Sequence, residues 1–172
     1  MSLFSKLFST QADNKFILKS PMKGRVLPLS EAPDDTFAQK ILGDGFVIDP
    51  SEGKVFAPFD AKVMQIFRTG HAVGLETSNG LEILIHIGID TVKMNGKGFK
   101  AHVQNGQNLK KGDLLIEFDL NEVRLNAKST LSPVVITNMD KVTALSLEKS
   151  LGAQSEVNVG DDVLTIDLKA GK

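Results

Sequence analysis

Two of the three histidines, His71 and His86, stand fifteen residues apart on either side of an Asn79-Gly80 dipeptide. Imidazole can carry a proton, attack an electrophile or hold a metal, and its ordinary pKa brings all three within reach near pH 7. The stretch 71–90 reads HAVGLETSNGLEILIHIGID. Asn-Gly is a strong hairpin signal, because a type I′ turn needs positive φ at both central residues. With Asn79 and Gly80 as a two-residue loop, Ser78 faces Leu81, Val73 faces His86, and His71 faces Gly88. Strand side chains alternate, so this register puts His71, Val73, His86 and Gly88 on one face. The two imidazoles are then diagonal neighbours, roughly 7–8 Å apart at the backbone. Leu81, Ile83, Ile85 and Ile87 line the other face, the expected core side.

Val73, Leu75 and Leu84 stand beside the histidines, so their face is expected to be apolar. Burial and a like neighbour both disfavour the imidazolium form. The expectation is at least one neutral ring near pH 7, nucleophilic or able to bind a metal. The spacing does not support a dedicated zinc site. No Asp, Glu or Cys of the hairpin completes a tetrahedral set, and Glu82 lies two same-face positions nearer the turn than His86.

The elements around this hairpin are short. From residue 16 the chain is a succession of apolar runs broken by Gly, Pro, Asn and Asp, over 16–19, 24–29, 46–48, 54–57, 61–67, 114–119, 134–136 and 163–168. Close, fairly even spacing of short strands indicates an all-β sandwich or barrel. Helical periodicity is scarce: one turn over 37–42, and a short helix over 120–128 with Asp119 as N-cap. Ser20-Pro21-x-x-Gly24 is echoed 37 residues later by Ala57-Pro58-x-x-Ala61, and Gly112-Asp113 and Gly160-Asp161 each precede an apolar strand. The echo reads either as recurrent turn chemistry or as a duplicated sandwich.

The length of 172 residues suits one domain, and a net charge of −1 argues against nucleic acid as a partner. The absence of cysteine excludes disulfides and thiolate chemistry. No signal peptide and no run of roughly 18 apolar residues is visible, so a cytoplasmic protein is expected. Leu3, Phe4, Leu7 and Phe8 fall on one helical face. Residues 1–15 are therefore expected to be a flexible, weakly amphipathic segment, capable of weak membrane contact. Residues 16–172 are expected to form the single folded domain.

Thr69-Gly70-His71, the hairpin, and His86-x-Gly88-x-Asp90-Thr91-Val92 followed by Gly96-x-Gly98-Phe99 resemble the glucose-family enzyme IIA of the bacterial phosphoenolpyruvate-dependent sugar phosphotransferase system. The resemblance extends to Pro21, Gly43-Asp44-Gly45, Ala57-Pro58, Gly112-Asp113 and Ser129-Thr130-Leu131-x-Pro133-Val134-Val135-Ile136, covering residues 16–168. It implies an all-β fold: an antiparallel β-sandwich with Greek-key and jelly-roll connections and a few short helical turns. It implies a phosphotransferase component in which His86 accepts a phosphoryl group on Nε2 from the phosphocarrier protein HPr. His86 would then pass it to a cysteine on the IIB domain of a sugar permease. By the same resemblance His71 hydrogen-bonds the phosphoryl group, Thr69 orients His71, and the Gly88 carbonyl orients His86. Phe37, Phe67 and Leu84 would give apolar contact surface for partners, with Asp34 and Asp90 at its rim, while His102 has no place in the family pattern and is expected to be an exposed surface residue. No cofactor is required. In some members the two histidines also ligate a zinc ion shared with a regulated enzyme or transporter, for which His71 and His86 would be this chain's ligands.

Two other readings remain open at this level. Gly106-x-x-Leu109-x-x-Gly112-Asp113-x-Leu115 looks like the strand-turn spacing of biotinyl- or lipoyl-carrier sandwiches, although Met22-Lys23-Gly24 is misplaced for their attachment lysine. A zinc hydrolase could use the histidine pair, but it needs a third protein ligand and a general base.

Overall fold

In the computed structural model, residues 14–148, 151 and 155–170 are described. Residues 1–13, and with them nearly all of the expected N-terminal segment, lie outside the described residues. The strands are β1 (Lys15–Lys19), β2 (Gly24–Pro28), β3 (Asp44–Pro50), β4 (Lys54–Phe56), β5 (Ala61–Ile66), β6 (Ala72–Glu76) and β7 (Glu82–His86). They continue with β8 (Phe99–Ala101), β9 (Asn108–Leu109), β10 (Leu114–Phe118), β11 (Ser132–Ile136), β12 (Val142–Leu147), β13 (Glu156–Val157) and β14 (Asp162–Leu168). An eight-stranded antiparallel sheet runs β13-β2-β3-β11-β7-β6-β5-β9. Two three-stranded sheets, β1-β14-β12 and β4-β10-β8, close its inner face. β11 inserts between β3 and β7, far from either in sequence, which is the crossover expected of Greek-key connections.

The core between the layers is built from alternate strand residues. Phe46 and Ile48 of β3, Val73 and Leu75 of β6, Ile83 and Ile85 of β7, and Val134 and Ile136 of β11 meet Leu18, Val55, Ile116, Leu164 and Ile166 of the small sheets. A second cluster covers part of the outer face of the large sheet: Leu27, Leu29, Ala32, Phe37, Val47, Ile89 and Val135.

The two halves of the molecule repeat. Ala57 N–H donates to the Asp113 carbonyl (2.8 Å) and Gly112 N–H to the Ala57 carbonyl (2.9 Å); Ser20 and the Gly160-Asp161 pair make the same two bonds at 2.8 and 2.9 Å. Val55 faces Ile116 as Leu18 faces Leu164. β9 flanks β5 as β13 flanks β2, and the strand order reads symmetrically outward from the β11–β7 pair. The sequence echo is therefore duplicated architecture, with a pseudo-two-fold axis between the strands that bear Val135 and His86.

The hairpin departs from its expected register by one residue. Ala72, not Val73, faces His86, and Leu75 faces Ile83. The loop has three residues, Ser78-Asn79-Gly80, closed by Gly80 N–H to the Thr77 carbonyl (3.0 Å) and Thr77 N–H to the Leu81 carbonyl (2.9 Å). The Thr77 hydroxyl explains the shift, since it contacts the Asn79 side chain and accepts from Leu81 N at 2.9 Å. Only Gly80 then takes positive φ, +85°, as in a type I turn followed by a bulge. Leu81, Ile83, Ile85 and Ile87 are core residues as expected, but Val73 and Leu75 are fully buried with them rather than beside the histidines.

Candidate active site

His86 ends β7 on the outer face, in line with Leu84 and across from Ala72 and Gly74. His71 precedes β6. By alternation with Val73 it would face inward, and the pairing still runs this far, its carbonyl accepting from Ile87 N at 2.8 Å. The regular strand begins only at Ala72, however. A tight turn, Gly70 N–H to the Phe67 carbonyl at 2.8 Å with Gly70 at φ +74°, redirects the chain. The imidazole of His71 comes to lie edge-on to that of His86, with ring centroids 5.1 Å apart. The expected meeting of the two rings holds, through a turn rather than through strand alternation.

Each ring is fixed by its Nδ1. His86 Nδ1 is 2.7 Å from the Gly88 carbonyl oxygen. A carbonyl only accepts, so Nδ1 carries the proton and Nε2 presents a lone pair. His71 Nδ1 contacts the Thr69 hydroxyl. A hydroxyl can donate as well as accept, so His71 can hold its proton on Nε2 and offer it as a donor. One nucleophilic nitrogen thus stands beside a ring that is able to offer an N–H donor.

Gly88 is shaped for its part. Its φ is +66°, a region that costs an L-residue about 1–2 kcal/mol. A Cβ there would also fall 2.8 Å from the Ser129 carbonyl and 2.7 Å from Thr91 Cγ2.

Two aromatic rings bracket the pair. Phe37 lies against His86 at 5.1 Å between centroids, and Phe67 meets His71 edge-on at 5.5 Å. Phe37 is carried by the short helix Asp35–Ala38, whose N-cap Asp34 accepts from Thr36 N at 2.8 Å. Phe37 is only 5% exposed and belongs to the second cluster, so it supports His86 more than it offers contact area. Phe67 and Leu84 are half-buried. Asp90, in left-handed conformation at φ +62°, opens the 3-10 turn Thr91–Met94 and pairs with Lys93 at 3.7 Å. Sequence reasoning did not single out Ile41, Leu42 and Val92, large apolar residues that are 68, 40 and 51% exposed next to the elements carrying Phe37 and Asp90. Their signal was the apolar residue type in segments whose turn chemistry marks them as surface.

Burial first, and His86 second, push the His71 pKa down to about 4. Burial also holds His86 below its ordinary value, against the opposing pull of the Gly88 carbonyl and then of Asp34 and Asp90. Both rings are therefore neutral at pH 7. His102 stands apart on an exposed edge, its Nε2 3.2 Å from Glu117. Among the described residues no group of three or more His, Cys, Asp or Glu could hold a metal, so the set a zinc hydrolase needs is not assembled there. No helix of the described residues is long and apolar enough to cross a membrane.

The family model for the phosphoenolpyruvate-dependent sugar phosphotransferase system, EIIA 1, matches residues 16–142, more than half of the chain. The chain belongs to this enzyme IIA family. A solved structure of glucose permease IIA from Mycoplasma capricolum is 36% identical, with a TM-score of 0.79, over 88% of this chain and 95% of that one. The all-β sandwich of this enzyme IIA is thus a fold it has in common with a relative of clear sequence similarity, and a phosphocarrier role in sugar transport follows for the family.

Proposed function

We propose that this enzyme IIA takes a phosphoryl group from phospho-HPr onto Nε2 of His86 and hands it to a cysteine of a IIB domain. In the first step the Nε2 lone pair forms a bond to phosphorus as the donor's bond to phosphorus breaks. In the second, the N–P bond breaks, a thiolate forms the S–P bond, and the ring recovers its lone pair. The observation that carries the reading is the pair of adjacent imidazoles with both Nδ1 atoms engaged. Such transfer asks the protein mainly for positioning and charge stabilisation.

Leu84 and Phe67, widened by Ile41, Leu42 and Val92, would be the apolar docking face, with Asp34 and Asp90 as acidic rim for a basic partner. The reaction is complete without a cofactor. The same two Nε2 atoms would suit half of a zinc site whose remaining ligands come from a regulated partner. The cytoplasm is the compartment this reading requires. Substitution His86→Gln removes the nucleophile, so labelling by enzyme I, HPr and phosphoenolpyruvate should vanish. Persistence of an acid-labile, base-stable phosphate on that variant would refute the assignment.

A further inference from the structure

The Gly88 carbonyl that fixes His86 is itself held by a frame the phosphoryl-transfer reading does not use. Gly88 N–H donates to the Ser132 hydroxyl at 3.0 Å, and that hydroxyl donates to the Thr130 carbonyl at 2.9 Å. The amide that shares a peptide plane with the Gly88 carbonyl is Ile89 N–H, and it donates to the Ser129 carbonyl at 2.9 Å. Lys128 N–H returns to the Ile89 carbonyl at 3.1 Å. Thr91, fully buried, donates its hydroxyl to the Ile87 carbonyl at 2.6 Å. Residues 128–132 thus grip both peptide units that flank Gly88.

Ser132 is the unexpected member. It is 0% exposed and heads β11, where every other residue is apolar and buried. A buried hydroxyl is costly unless both its donor and its acceptor are used. Here both are used, and the acceptor serves the loop that aims a histidine two residues away. We infer that Ser132 is a positioning residue for His86. By anchoring Gly88 it keeps the carbonyl at hydrogen-bonding distance from Nδ1 and so holds the tautomer whose Nε2 is a nucleophile. Without the anchor, the Ile89 N–H bond to the Ser129 carbonyl holds that peptide plane from one side only, and the left-handed Gly88 can turn its carbonyl further from Nδ1. The ring then populates the other tautomer, in which Nε2 bears the proton and cannot attack phosphorus. This inference rests on the proposed role of His86 for its consequence, but its geometry can be read without any partner.

The test is made on the free, full-length chain with 15N-labelled histidine at neutral pH. In the wild type, the two ring nitrogens of His86 should show well-separated shifts, Nδ1 protonated and Nε2 not. In Ser132→Ala the two shifts should move toward each other, and in Ser132→Thr they should return to the wild-type positions. Single-turnover phosphorylation by phospho-HPr should slow in Ser132→Ala by about tenfold, the scale of one lost hydrogen bond, at an unchanged half-saturating HPr concentration. Ser132 is 0% exposed, so a change there reaches the ring through the loop it holds, and a loss of stability alone leaves the two ring shifts of the folded protein where they are. Wild-type shifts of His86 in folded Ser132→Ala overturn the inference. Should that variant not fold, Gly88 amide exchange in the wild type decides: protection equal to Val134 supports the anchor, and fast exchange removes it. A wild-type protein with the expected tautomer that takes no phosphate refutes the phosphocarrier reading and leaves the anchor standing.

Discussion

At the scale of residues, the site depends on which nitrogen of each imidazole faces outward. Residue types showed that two histidines could meet; which proton sits where depends on the Gly88 carbonyl and the Thr69 hydroxyl, which only the folded loops bring into reach. A consequence concerns His71. Phosphorylation turns the neutral His86 into a group carrying about two negative charges. That charge needs donors in a site walled by Phe37, Phe67 and Leu84. The His71 ring, edge-on at 5.1 Å between centroids, can supply one from Nε2 when Thr69 donates to its Nδ1. As the N–P bond of phospho-His86 breaks in the onward step, charge builds on the transferred oxygens, so this donor acts in the transition state. Gln at this position keeps an N–H but not the ring that packs on Phe67 and is held at Nδ1 by the Thr69 hydroxyl. His71→Gln should therefore accept phosphate from HPr, while transfer to a IIB domain slows by about 10²–10³. Paired single-turnover rates measure the two steps separately. Equal losses in both would reduce His71 to a shaping role, and unchanged onward transfer would remove it from the mechanism.

At the scale of elements, hydrophobic alternation carried most of what the sequence revealed. The apolar runs over 16–19, 24–29, 61–67, 114–119 and 163–168 all fall on strands, and Asp119 caps the helix Leu120–Asn126 as expected. β8, β9, β12 and β13 were not legible. Two of them have only two residues, and β12 is an edge strand whose exposed positions blur the alternation. The one-residue register error has a local cause in the Thr77 hydroxyl, which competes with the turn type that Asn-Gly alone favours. The capped helix also serves the site from a distance: its fully buried Val123 packs over Gly88, Cγ1 lying 3.1 Å from where a Cβ would stand. The Asp119 carboxylate accepts from Glu122 N at 3.1 Å. Asp119→Ala should lose about 1 kcal/mol, which lowers Tm by about 2–4 °C in a chain of this size. Asp119→Asn should lose little, since Asn caps as well. Thermal melts of the three proteins check this, and equal Tm values for Ala and wild type would show that packing alone holds the helix.

At the scale of the whole molecule, the pseudo-two-fold axis was half visible in the repeated Pro and Gly-Asp turns. What the repeat could not show is that the halves are not equivalent at the surface. The β2–β3 connection carries the Phe37 helix over the outer face, while the β5–β6 connection is cut short to the turn that aims His71. The place equivalent to His86 across the axis holds the buried Val135. Placing two imidazoles in a half-apolar recess has a cost in acid that the fold as a whole must bear. The His71 pKa is about 4 in the folded chain, against about 6.5 when unfolded. Between these values the unfolded chain binds the proton and the folded chain does not, so stability rises with pH through this window. It is lost as pH falls below about 6.5, and the loss levels off below about 4. Between pH 7.5 and pH 5 this one group should withdraw up to about 2 kcal/mol, with His86 adding in the same direction. Carboxylates whose pKa is depressed act in the same sense at lower pH, so the comparison must isolate the ring. Urea unfolding at the two pH values does so: the wild-type midpoint should fall at constant m-value, and His71→Gln should lose distinctly less. An identical fall in both proteins would mean that His71 is as free to take a proton folded as unfolded, and that the recess does not hold it neutral.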